Sequence, residues 1–517
     1  MAFYRDHYDV IVIGGALAGM SCAMKLASEG KSVLILERHN LPGGVATSFV
    51  RSGVEMEATL HEMMSIGSAD HPLFMRKYLE EMGVVIDWLR VPEAYTLVSE
   101  EDQINIELHA GKNLDGSWIA ADEIDQQYPG TRKEVNALLD LCEKVYQSVV
   151  YLNEHSLSKL QMLRQHEELV KTAGYSAKEV IDQTTHLPEE VKKILSAYWI
   201  YVGQPMNSLP FTIYAFLMGD YMSGGSYVAR GFSHEMACAM ADACMKKGVQ
   251  IEYGQEVEKI LVKDHQAYGV KTRRGDEIHA DYIASGPYPD VVFGKMVEPQ
   301  SEVPVEARKY ANAMPLSVSC FSVVLMLDQK PEDLNIHSYS VFSSEKAMDT
   351  AEFWKEGKHL GNWSYLTTIC LNYANPEAVP EGKTSLSITN LPLAECFAHV
   401  TADNYFETKR TIASQMIDQV SRRLGVNLKD HIIDIEIETP VTISHYTGAY
   451  RGSIYGYQHT MSNSIVARLE DAGKDNNLIS HLVWCSSAQL AGDGMAVNIN
   501  NGKIAAQIIL TEMKEAA

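Results

Sequence analysis

The sequence predicts an α/β fold in which a parallel-sheet unit, assembled from separated stretches of chain, carries a mixed α+β insertion. Three observations predict it. Residues 9–44 run as strand, Gly-rich turn, helix, strand and acid. A second α/β stretch lies far downstream, at 221–295. A third closes the chain, where a strand over Leu482–Cys485 leads through a tight turn into a helix beginning at Met495.

The opening unit follows directly from residue types. Val10–Ile13 is a β-branched run suited to a parallel strand buried on both faces. Gly14 and Gly15 turn the chain. Helical spacing resumes at Met20, Ala23, Met24 and Ala27, and Gly30 closes that helix as a C-cap would. Val33–Leu36 is the second strand, with Glu37 at its end, where a carboxylate can accept hydrogen bonds from ribose hydroxyls. A helix N-terminus carries about half a positive charge and unpaired N–H groups, which suit a pyrophosphate. The order is therefore that of a Rossmann-like dinucleotide-binding unit. In the G-x-G-x-x-G pattern the three positions are Gly14, Ala16 and Gly19, so a methyl group stands where the backbone normally approaches the pyrophosphate. Glu37 alone leaves NAD and FAD open. The second glycine pair, Gly43-Gly44, lets the chain pass close to the cofactor again and favours the longer flavin dinucleotide.

The remaining elements are read in order. Residues 76–220 are expected to be mostly helical, with apolar spacing at Leu138, Leu139, Leu141, Cys142, Val145 and Tyr146. Phe232–Gly248 reads as a helix ending in Lys246-Lys247-Gly248. Strands follow over 249–253, 257–262, 267–272 and 278–283, with a hairpin turn at Gly275-Asp276. Residues 296–470 mix strands and helices, and Met495–Leu510 is the last helix. The predicted organisation is a discontinuous FAD-binding domain of residues 1–75, 221–295 and 471–517. A substrate-binding domain with a helical part takes residues 76–220 and 296–470.

Bulk properties narrow the partners. A formal net charge of −23 over 517 residues argues against nucleic acid and against electrostatic attachment to an anionic membrane. The eight cysteines are scattered without C-x-x-C or zinc-like spacing, so no metal site and a reduced, cytoplasmic setting are expected. The N-terminus has no basic segment followed by an apolar stretch. The most apolar region, 197–218, is interrupted by Gly203, Pro205 and Pro210, so it is not a straight spanning helix.

Taken together, these motifs resemble the phytoene desaturase-like flavoproteins, the group of carotenoid desaturases, carotenoid isomerases and retinol saturase-type reductases within the wider amine-oxidase-like FAD superfamily. The resemblance covers almost the whole chain. Besides residues 9–44 it rests on Val45-Ala46-Thr47-Ser48-Phe49, then Gly53, Glu57 and Leu60-His61. It continues with Gly224-Gly225-Ser226, Thr439-Pro440, His445-Tyr446-Thr447-Gly448, Gly452-Ser453-Ile454-Tyr455-Gly456 and Ala491–Gly494. It implies FAD as cofactor. Gly14, Gly15, Ala16, Leu17, Ala18, Gly19, Glu37, Arg38, Gly43, Gly44, Val45 and Ala46 are the expected N-terminal contacts. Val257 is expected beside the adenine, and Gly492, Asp493, Gly494 and Met495 beside the flavin. Two departures change polarity near the cofactor: Val45 stands where many members have Arg, and Asp493 replaces a glycine.

A flavin exchanges hydride through N5, so the protein must hold a substrate C–H or C=C against it. The resemblance implies long, apolar, unsaturated substrates, a possible separate electron donor or acceptor, and leaves peripheral membrane contact and oligomeric state open. The leading expectation is oxidation or reduction of carbon–carbon bonds in a lipophilic polyene or unsaturated lipid. A redox-neutral double-bond isomerase using reduced FAD is the alternative, and amine oxidation a third. Tyr198, Trp199, Tyr201, Phe211, Tyr214 and Phe216 are either the wall of a substrate tunnel or ordinary core. His61, Tyr446 and Tyr455 are the catalytic candidates, with Glu57 and Glu62 weaker ones.

Overall fold

The computed structural model describes residues 4–51, 54–59, 62–153, 155, 157, 159–464, 478–488 and 493–516. Among them, an eight-stranded sheet forms around β1 (Tyr8–Ile13). β1 pairs in parallel with β2 (Val33–Leu36) on one side and with Glu277–Ser285 on the other. Gln250–Glu252 extends the parallel set beyond β2, and Leu482–Trp484 extends it beyond Glu277–Ser285. An antiparallel meander, Val257–Lys263 and Gln266–Thr272, completes the sheet with the short strand Val297–Glu298. Gly275 has φ +94°, as the predicted hairpin turn requires.

The central strands alternate between two cores. Val10, Val12, Val33 and Ile35 face one apolar cluster, while Ile11, Ile13, Leu34 and Leu36 face another. This two-sided burial explains the unbroken aliphatic runs in the sequence. On the first face lie α1 (Leu17–Ser28), the helix Phe232–Lys246 and the last helix, Met495–Ala516. Gly30, at φ +79°, follows the Glu29 cap of α1.

A second sheet of seven strands has the order Ile432–Glu438, Phe321–Leu327, Thr384–Asn390, Tyr365–Cys370, Ser340–Ser344, Tyr95–Ser99, Ile104–Leu108. The helix Tyr405–Leu424 covers one face, over Phe321, Val323, Leu325 and Leu327. The region 76–220 is mostly helical as expected, but the structure adds three strands that the expectation did not include. Trp88–Arg90, Tyr95–Ser99 and Ile104–Leu108 are strands. The alternating burial of Ile104-Asn-Ile-Glu-Leu108 is the period-2 signal that the helical reading overlooked. Helices do dominate from Ile119 to Gly224, and the apolar run is broken as predicted into a 3-10 turn (Ala197–Tyr201) and a helix (Phe211–Gly224). No described helix is long and apolar enough to cross a membrane.

Candidate FAD site

The site begins where β1 ends. The Gly14 N–H donates to the Leu36 carbonyl at 2.9 Å, which ties the turn to β2. The Gly15 N–H donates to Glu37 Oε2 at 2.6 Å, and the His39 N–H to Glu37 Oε1 at 2.7 Å. Glu37 is 7% exposed, and each of its oxygens is held by one backbone amide, which leaves further lone pairs on each. A Cβ on Gly19 would lie 2.1 Å from the Gly14 carbonyl oxygen, so helix and strand approach at a distance only glycine permits there. Ala16 caps α1 without a side-chain hydrogen bond, leaving first-turn N–H groups without intrahelical acceptors.

A cavity of about 500 Å3 opens at this helix start. Gly14, Ala16, Leu17, Ala18 and Gly19 form one wall, and Glu37 and Arg38 a second. Gly43, Gly44, Val45 and Ala46 line it again after the chain returns. The return is fixed by the Gly43 N–H, which donates to the Gly15 carbonyl at 2.9 Å. Ala16 adopts φ −73°, ψ 173°, a conformation open to any residue. Its methyl faces Gly44, where an added Cβ would lie 2.9 Å away. The methyl at the middle position of the fingerprint is thus accommodated by glycine at 44, which also sits at φ +65°.

Val257 and Met495 also border the cavity, from two other stretches of chain. Gly15 lies behind the wall, engaged with Glu37. Arg38 reaches the rim, but its guanidinium donates to the carbonyls of His445, at 2.9 Å, and Tyr446. It therefore caps the C-terminus of the helix Pro440–Thr447 and joins that helix to β2. Tyr446 lines the cavity beside this contact, its ring 4.6 Å from that of His39 and its hydroxyl 3.3 Å from His39 Nδ1. Burial raises its phenol above the ordinary range. Tyr455 is not part of this wall. Burial and the Asp493 carboxylate hold its phenol well above the ordinary range. Asp493 and Gly494 precede the last helix without bordering the cavity. His61 and Gly492, with Gly53, Leu60 and Ala491, lie outside the described residues.

Several participants were not singled out from sequence. Gln255 and Ser486 border the cavity from opposite stretches of chain, and the buried Gln255 Oε1 and Ser486 Oγ have no hydrogen-bond partner. His459, 4% exposed, sits 2.7 Å from Asp493 through Nε2, and its buried Nδ1 is unpartnered. No spacing in the sequence marks these residues, because each meets its neighbours only across the fold.

The aromatic set between 198 and 216 forms core. Tyr198, Trp199, Phe211, Tyr214 and Phe216 are buried, and the Tyr198 and Tyr214 hydroxyls donate to the carbonyls of Ala94 and Leu195. Glu57 accepts from Ser233 at the start of the helix Phe232–Lys246, through both its N–H and its hydroxyl. Burial pushes the Glu57 carboxyl up to about 8.

A glycine-floored cavity at a helix N-terminus, with a carboxylate at one end and two unsatisfied buried polar atoms in its wall, fits a dinucleotide. The chain belongs to the family of flavin containing amine oxidoreductases, whose model matches residues 17–510. It is an enzyme, and its cofactor is FAD. Among its relatives, all-trans-retinol 13,14-reductase of Danio rerio is 22% identical over 484 residues, 88% of this chain and 78% of that protein. Prolycopene isomerase 2 of an Oncidium hybrid cultivar is 24% identical over 87% of this chain and 75% of its own length. The 4,4'-diapolycopene oxygenase of a Methylomonas species is 23% identical over 99% of both chains. Among solved structures, a putrescine oxidase variant superposes with a TM-score of 0.64 at 11% identity, over 98% of this chain and 99% of that one. Cyclohexylamine oxidase from Brevibacterium oxydans gives 0.60 at 13% identity, over the same shares. These two establish the fold alone.

Proposed function

We propose that this flavoenzyme acts on carbon–carbon single or double bonds of a lipophilic polyene or unsaturated lipid. The observation that carries the reading is the set of relatives, matched over 87–99% of this chain, that are named for retinol, prolycopene and diapolycopene. Bound FAD would supply hydride exchange at N5. In this reading the first turn of α1 and Gly14–Gly19 receive the pyrophosphate, Glu37 the adenosine ribose, Val257 and Gln255 the adenine side, and the Asp493–Met495 turn the flavin side. Arg38 and Tyr446 would hold the rim of the site, which makes Tyr446 a cofactor-side residue rather than a proton donor. The eight-stranded sheet and its helices would form the cofactor domain, and the seven-stranded sheet with the region 119–224 the substrate domain. A redox-neutral isomerase using reduced FAD is the second reading, favoured by the isomerase relatives.

The test is anaerobic incubation of the FAD-loaded protein with all-trans-retinol, a cis-carotenoid and an unsaturated fatty acid, with and without dithionite, followed by chromatography and mass spectrometry. A mass change of two hydrogens identifies redox chemistry. A geometric isomer of unchanged mass, formed only with reduced flavin, identifies the isomerase. Bleaching of the flavin by amines, with no change in any polyene, overturns both.

A further inference from the structure

Two side chains in the wall of the cofactor cavity carry buried polar atoms with no hydrogen-bond partner among the described residues, Gln255 Oε1 and Ser486 Oγ. Other buried atoms in that condition, such as Gln204 Oε1, Thr212 Oγ1 and Asn390 Oδ1, belong to residues that do not border the cavity. Gln255 is 4% exposed and Ser486 9%. A buried amide oxygen left unpaired costs stability. In a cavity wall, the missing partner is supplied by what fills the cavity.

The backbone fixes where Gln255 stands. Its N–H donates to the Glu37 carbonyl at 2.8 Å, and the Gly254 N–H before it donates to the His39 carbonyl at 2.9 Å. Two residues on, Val257 pairs with Thr272. The chain is thus clamped between the end of β2 and the meander. Gln255 and Val257 are buried while Glu256 between them is half-buried, the period-2 alternation of an extended segment. Both residues border the cavity, directly beside Glu37.

Strand order gives the cavity a direction. β2 ends in Glu37, β1 in the Gly14 turn, Glu277–Ser285 in Gly286, and Leu482–Trp484 leads to Ser486. The four strands run parallel, so these ends share one edge of the sheet, and all border the cavity. The end of β2 and the end of Leu482–Trp484 are three strand spacings apart, about 14 Å. With the ribose at Glu37 and the pyrophosphate at the start of α1, the base falls on the Gln255 side and the flavin half runs toward Ser486.

Resting on that placement of the two cofactor halves, we propose that Gln255 is the residue that selects adenine, its Oε1 accepting a hydrogen bond from the 6-amino group of the base. Ribose hydroxyls need acceptors, and Glu37 supplies them. A primary amide adds something different, an acceptor and a donor in one plane. That pair matches the 6-amino group of adenine and the ring nitrogen beside it, the pairing glutamine makes with this base in nucleic acids. Val257 supplies apolar surface next to it. Ser486, with one hydroxyl, holds the flavin half and takes no part in reading the base. The selection is independent of the substrate, so it stands or falls apart from the polyene reading.

The experiment measures dissociation constants of the flavin-stripped protein from the change in flavin fluorescence on titration. Two ligands are compared, FAD and the FAD analogue in which hydrogen replaces the 6-amino group of adenine. Wild type is expected to bind FAD about 10-fold more tightly than the analogue, the worth of one hydrogen bond. Gln255→Leu should bind both alike, at the wild-type affinity for the analogue. Ser486→Ala should weaken both by the same factor and keep the 10-fold preference. The thermal midpoint of flavin-free Gln255→Leu should be no lower than that of wild type, because the variant removes an unpaired buried oxygen. Lost affinity is then not lost folding. A wild type that binds the two ligands equally, or a Gln255→Leu protein that keeps the preference, overturns the proposal. A preference abolished by Ser486→Ala and kept by Gln255→Leu puts the adenine at the other end of the cavity, and overturns the placement of the halves together with the proposal.

Discussion

Glu37 carries two duties that a sequence motif assigns to one. Its carboxylate fastens the amides of Gly15 and His39, and it still presents lone pairs to the cavity. Hydrogen bonds to a charged group contribute about 1.5–3 kcal/mol each. Glu37→Ala should therefore weaken FAD by roughly 10- to 100-fold, measured as quenching of flavin fluorescence on titration. An unchanged dissociation constant would remove Glu37 from the site. Gly44 poses a steric question. A Cβ there meets Ala16 at 2.9 Å in a left-handed backbone conformation. Gly44→Ala should cost about 1–3 kcal/mol and lower FAD affinity, and Ala16→Gly in the same chain should recover part of it. A double mutant no better than the single would show that backbone strain, not the methyl contact, dominates. The identities of Glu37 and the glycines were legible in sequence. The compensation between Ala16 and Gly44 was not, since 28 positions separate them and only the returning loop brings them together.

At the scale of elements, the packing of α1 against the last helix sets the aim of the cofactor-binding turn. Gly502 lies in the middle of that contact. A Cβ at this position would stand 2.1 Å from the Ala18 carbonyl oxygen and 2.8 Å from Ser21 Cβ. The Ser21 hydroxyl also donates to the Ile499 carbonyl at 2.6 Å. Replacing an interior helical glycine by alanine ordinarily favours a helix by about 1 kcal/mol. Here backbone oxygen blocks the methyl, so Gly502→Ala should destabilise by about 1–3 kcal/mol, read as a lower thermal midpoint with parallel loss of FAD. A raised midpoint would mean that the two helices separate freely. The sequence showed both helices. It did not show which helix the glycine faces, because both apolar surfaces are broad and hydrophobicity alone is not directional. The strands over 88–108 were missed for a related reason: their period-2 pattern is short, and the long helical spacing that follows dominated the reading.

Across the whole molecule, burial raises several carboxyls from the ordinary acidic range toward neutral pH. Glu57 and Glu438 are raised to about 8, and Glu62 and Asp220 to about 7, each chiefly by desolvation. A carboxyl raised in the folded state contributes fully below its unfolded value, 4.5 for Glu and 3.8 for Asp, and loses that contribution as pH climbs through the folded value. The thermal midpoint should accordingly fall between pH 5 and pH 8, most of the slope coming from these groups. Asp9 and Asp102, whose carboxyls are lowered, act in the opposite sense at more acidic pH. Glu438→Gln should flatten the decline, since Glu438 Oε2 has no partner to lose. A variant with the wild-type slope would show that the Glu438 site is hydrated. By itself the sequence determined the cofactor unit, its order of elements and its return after the second glycine pair, since these depend on periodicity, glycine and one carboxylate within 36 neighbouring residues, 9–44. Tertiary structure alone decided that Arg38 caps a helix 400 residues away, that His459 meets Asp493, and that Glu62 lies between two hydroxyls. Desolvation and hydrogen bonding depend on what surrounds a group in space, and residues distant in the chain supply those surroundings.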